Sequence, residues 1–118
     1  MMQIGFVFSS APHGRASGRE GLDALLAASA FCDNLAVFFI GDGVFQLLEG
    51  QQPSHILSRD YIASFKMLPL CDVEAIYVCQ ASLTARGLEQ ASTVLPTQAL
   101  SVEQIKTQLS GCDRILHF

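Results

Sequence analysis

The chain has 118 residues, half of them hydrophobic and 15% charged, with a formal net charge of −4. That length suits one domain with its own core, taken here as residues 1–118, and excludes two. An acidic balance without a Lys/Arg cluster argues against direct nucleic-acid contact, which needs phosphate-neutralising cations, and no run reaches the roughly 18 apolar residues of a membrane span.

Ile4 to Ser9 is an almost continuous apolar run and predicts a first, buried strand. No basic region precedes it and no small-residue cleavage pattern follows, so it reads as a strand and not a signal peptide; the expected location is cytoplasmic. Ser10 to Gly21 is full of turn residues and reads as a long loop. Leu22 to Phe31 predicts a buried, Ala- and Leu-rich helix. Leu35 to Ile40 predicts strand two, Gly41-Asp42-Gly43 a tight turn, and Val44 to Leu48 a short helical piece.

Arg59 to Leu68 reads as a helix with Tyr61, Ile62 and Phe65 on one stripe, ended by Pro69. Ala75 to Val78 predicts strand three, and Cys79 closes it. Gln80 to Arg86 then reads as a short helix, stopped by Gly87. Val94 to Ala99 predicts a short fourth strand, which Pro96 demotes to an edge position or a loop. Ser101 is placed to cap a helix from Val102 to Leu109, with Gln104 at capping-box spacing, and Arg114 to Phe118 predicts the last strand. Strands alternate with helices. The expected fold class is therefore α/β: a single three-layer domain with a central, mainly parallel sheet of about five strands flanked by helices.

Cys79 is the candidate for chemistry. It stands where a strand ends and a helix begins, at the carboxyl edge where open α/β sheets place their sites. A thiol there would face the positive end of a helix dipole, which favours thiolate. The alternative is a small apolar residue closing a strand, because free cysteine is among the most buried residue types. Cys32, Cys71 and Cys112 complete the set; there is no C-x-x-C and no zinc spacing, and reduced thiols are expected.

Gly14, Gly18 and Gly21, with Arg15 and Arg19 beside them, invite a nucleotide reading. Their spacing matches neither G-x-G-x-x-G nor the P-loop, and Asp42 lies past the end of strand two, where a ribose partner is not expected. A small-molecule or nucleotide module is thus the weaker alternative. His13, His55 and His117 are scattered, so no metal site is expected, and no Ser-His-Asp order or G-x-S-x-G elbow occurs.

Long motifs nevertheless carry a resemblance. Val7-Phe8-Ser9-Ser10-Ala11-Pro12-His13-Gly14, the segments from Gly18 to Ala27 and from Leu35 to Leu48, Arg59 to Lys66, and the ending Ile115-Leu116-His117-Phe118 resemble the TusC family, in order and spacing, over essentially the whole chain. The wider group is the DsrE/DsrF/DsrH-like sulfur-transfer fold. The resemblance implies a cytoplasmic subunit that assembles with TusB-like and TusD-like subunits into a heterohexamer, a dimer of heterotrimers. Such a complex takes persulfide sulfur from a TusA-like donor and passes it to a TusE-like acceptor, for 2-thiouridine at the tRNA wobble position.

The resemblance further implies that the accepting cysteine belongs to the D subunit, in a segment that Val78-Cys79-Gln80-Ala81-Ser82-Leu83 resembles, and that the C subunit is not the carrier. It supplies no role for His13, Arg15 or Arg19. The expected function is an accessory, non-carrier subunit of the relay, with a persulfide carrier through Cys79 as the alternative. No cofactor or metal is expected, and no direct nucleic acid or membrane partner.

Overall fold

Five short segments rich in Val, Ile, Leu and Phe form the sheet: β1 Ile4–Phe8, β2 Leu35–Phe39, β3 Ala75–Cys79, β4 Gln98–Leu100 and β5 Arg114–His117. They appear in a computed structural model that describes residues 3–9, 17–31, 34–47, 73, 75–88 and 97–118. The strand order is β4-β3-β2-β1-β5, and every pairing is parallel. Parallel strands need crossovers, and the described helices supply them: α1 Ser17–Ser29, α2 Gln80–Ala85 and α3 Val102–Ser110, with a 3-10 helix at Gly41–Leu47.

All five residues of β2 are buried, as expected for a central strand covered on both faces. Alternate residues feed two cores. Phe6, Phe8, Val37, Phe39, Ile76 and Val78 pack with Leu22 and Leu25 of α1 on one face. Val7, Ala36, Phe38, Cys79 and Leu100 pack with Ile105 of α3 on the other. The three-layer α/β arrangement read from the sequence is therefore the observed one.

Several element boundaries differ from the sequence reading; the 3-10 helix, for one, begins at Gly41 and takes in the Gly41-Asp42-Gly43 stretch read as a tight turn. The first helix starts at Ser17, inside the segment read as loop, and ends at Ser29. Gly18 and Gly21 suggested turns, yet both lie in α1. At Gly21 the glycine serves close approach: an added Cβ would stand 2.6 Å from Phe8 Cε1 and 2.7 Å from Phe118 Cγ. The helix backbone thus rests directly on an aromatic stack in which the Phe8 ring centroid lies 5.2 Å from Phe39 and 5.8 Å from Phe118. Phe31, read as the end of a buried helix, lies beyond α1 and is 92% exposed. The fourth strand takes the expected edge position but is displaced to Gln98–Leu100. The predicted helix at 59–68, and Pro96, lie outside the described residues.

The capping box forms as its spacing predicts. Ser101 Oγ accepts from Gln104 N at 3.1 Å, and Gln104 Oε1 accepts from Ser101 N at 2.9 Å. Ser101→Ala removes the first of these bonds. The expected cost is about 1 kcal/mol, a fall of roughly 4 °C in a thermal melt; an unchanged Tm would mean that the cap contributes nothing. Among the described residues, no helix is long and apolar enough to cross a membrane.

Candidate functional site at the carboxyl edge of the sheet

Because the strands run in parallel, their carboxyl ends share one edge, and the chain turns there into Ser9, Gly41 and α2. Cys79 is the last residue of β3 and the N-cap of α2, with φ −76° and ψ 114°. Strand and helix therefore meet at this residue, as read from the sequence. Its side chain makes no capping hydrogen bond. It points into the α3 side of the core, 6% exposed, in a cluster with Val7, Ala36, Phe38, Leu100 and Ile105. Leu100 is also its register partner on β4. In that setting the sulfur packs as a small apolar group, and α2 is only six residues long.

Beside Cys79, α2 is tied to the turn that follows β2. Gly41 N donates to Ser82 Oγ at 2.9 Å, and Gly41 holds a left-handed φ of 52° that suits glycine. Arg86 donates to Asp42 Oδ1 from Nε at 3.1 Å and from Nη2 at 2.9 Å, and its Nη1 donates to the Ser82 carbonyl at 3.1 Å. Asp42, weighed above as a ribose partner, is thus engaged with Arg86 in an ion pair. Nothing in the sequence paired these two residues, which lie 44 positions apart. The pair is partly solvated, so it positions α2 more than it stabilises the fold.

A second pair links the ends of the chain. His117 Nε2 and Ser9 Oγ share a hydrogen bond of 2.6 Å across 108 positions. Both residues are at the carboxyl ends of neighbouring strands, β5 and β1. His117 thereby joins two of the motifs that carried the resemblance. The bond is exposed, at the carboxyl edge of the sheet.

Cys112 is half-buried, and its Sγ donates to the Gln108 carbonyl at 3.6 Å. Burial, and then the neighbouring Asp113 carboxylate, push its thiol pKa up. That opposes thiolate formation. A groove of about 580 Å³ opens between α3 and the β3–β4 edge, lined by Tyr77, Gln98, Leu100, Glu103, Thr107 and Gln108. Among the described residues, no Lys or Arg lines it. Among the described residues, no group of three or more His, Cys, Asp or Glu could hold a metal ion. Arg19 falls on α1, whereas His13, Arg15, His55, Cys32 and Cys71 lie outside the described residues.

A model of the DsrE/DsrF-like family matches residues 2–118, nearly the whole chain. The crystal structure of the ychN protein from E. coli superposes with a TM-score of 0.84 at 22% identity, covering all of both chains. At that identity it speaks for the fold alone. Curated relatives are much more similar. Protein TusC homolog of Vibrio parahaemolyticus is 55% identical over 118 residues, and Protein TusC of Escherichia coli O127:H6 is 56% identical over 119; each match covers both chains fully. Protein TusC of Shigella flexneri is 57% identical over 119 residues, again with full coverage. The chain belongs to the DsrE/DsrF-like family and, within it, to the TusC family.

Proposed function

We propose that the chain is the C subunit of a cytoplasmic TusBCD-type sulfur-relay complex. The complex passes persulfide sulfur from a TusA-like donor to a TusE-like acceptor for 2-thiolation of the tRNA wobble uridine. In this reading the chain is one domain over residues 1–118, joined to TusB-like and TusD-like subunits in a dimer of heterotrimers, and it carries no sulfur itself. The observation that carries the reading is full-length identity of 55% or more with proteins named TusC.

Two features of the chain support this reading, the first its non-carrier part and the second its subunit part. Persulfide exchange requires a thiolate that a partner sulfur can reach, and Cys79 is 6% exposed. The edge strand β5 presents Ile115 and Leu116 to solvent, 49% and 43% exposed, the kind of surface an obligate subunit buries. The test is a Cys79→Ser complex co-expressed with its partner subunits. It is expected to assemble and to leave tRNA 2-thiouridine, read by nucleoside mass spectrometry, near the wild-type level, because in this reading the buried sulfur only packs. Thiolation lost in a complex that still assembles would overturn the non-carrier reading.

One observation favours a second reading: Cys79 occupies the carboxyl end of β3 at the start of a helix. As a carrier, its thiolate would attack the terminal sulfur of a donor persulfide. The donor's S–S bond would break, the donor would leave as thiolate, and Cys79 would hold the persulfide. Mass mapping of each subunit after incubation with a persulfidated donor separates the readings. Added sulfur on Cys79 supports the carrier; added sulfur on the D subunit alone ends it.

A further inference from the structure

We draw no further inference here: the strongest candidate, the exposed edge strand β5 with Ile115 and Leu116 on its opposite faces, belongs to the surface already invoked for the subunit reading, and nothing in the structure shows what covers it.

Discussion

Gly43→Ala is expected to destabilise the chain by about 3 kcal/mol or more, and to lower its Tm by roughly 12 °C. Gly43 lies in the 3-10 helix Gly41–Leu47, fully inside the protein, where its N–H donates to the Ile40 carbonyl at 2.8 Å. A Cβ there would overlap the Phe8 carbonyl group, and Ser9 N would stand only 2.9 Å away. These are backbone atoms of β1, the strand bonded to both β2 and β5. The Phe8 carbonyl also accepts from Ile40 N at 3.0 Å, so it cannot retreat without breaking a bond between β1 and the end of β2. A flexible side chain would yield to an added methyl group; a paired central strand does not. Thermal or urea unfolding of the purified variant checks this. A Tm within a degree or two of wild type would mean that the turn after β2 relaxes far more easily than its contacts imply.

Leu116→Asp is expected to act on the complex and to spare the fold. Leu116 is 43% exposed on β5, which pairs with β1 on one side and ends the sheet on the other. In the isolated chain an aspartate there stays solvated, and the cost should be about 0.5 kcal/mol or less. Inside an apolar subunit contact the same carboxylate would be buried without a partner. Such a charge costs about 3–5 kcal/mol, a loss in association of at least a hundredfold. Ile115 follows the same logic on the opposite strand face, since consecutive residues of a strand point apart. Co-purification with tagged partner subunits, beside a melt of the isolated chain, reads both effects. Full assembly of both Leu116→Asp and Ile115→Asp would remove β5 as support for the subunit reading. A collapsed melt of the isolated chain would instead mean that these residues hold the monomer together.

The layered α/β class was legible because each element carries its own burial in its composition. Leu35 to Phe39 is apolar throughout, and a strand buried on both faces has no polar side to show. Ser101 and Gln104 announced the start of α3, because a capping box is a bond between residues three apart. Cys79 was placed at the junction of β3 and α2 by the change of character after Val78. Local spacing reports such features because the interactions that make them are local.

Tertiary structure decided the rest, because the deciding contacts join distant positions. Gly21 looked like a turn until Phe8 and Phe118 were seen to pack against its backbone; only then does α1 begin at Ser17. Asp42, past the end of strand two in the sequence, meets Arg86 only because α2, capped by Arg86, packs beside the turn after β2. Ser9 and His117 become partners because β5, last in the chain, lies beside β1. The cluster that takes in Cys79 is also non-local: Leu100 comes from β4, Ile105 from α3, and Ala36 and Phe38 from β2. Sequence thus determined that a cysteine closes a buried strand, and packing from three other elements decided that its sulfur faces the core.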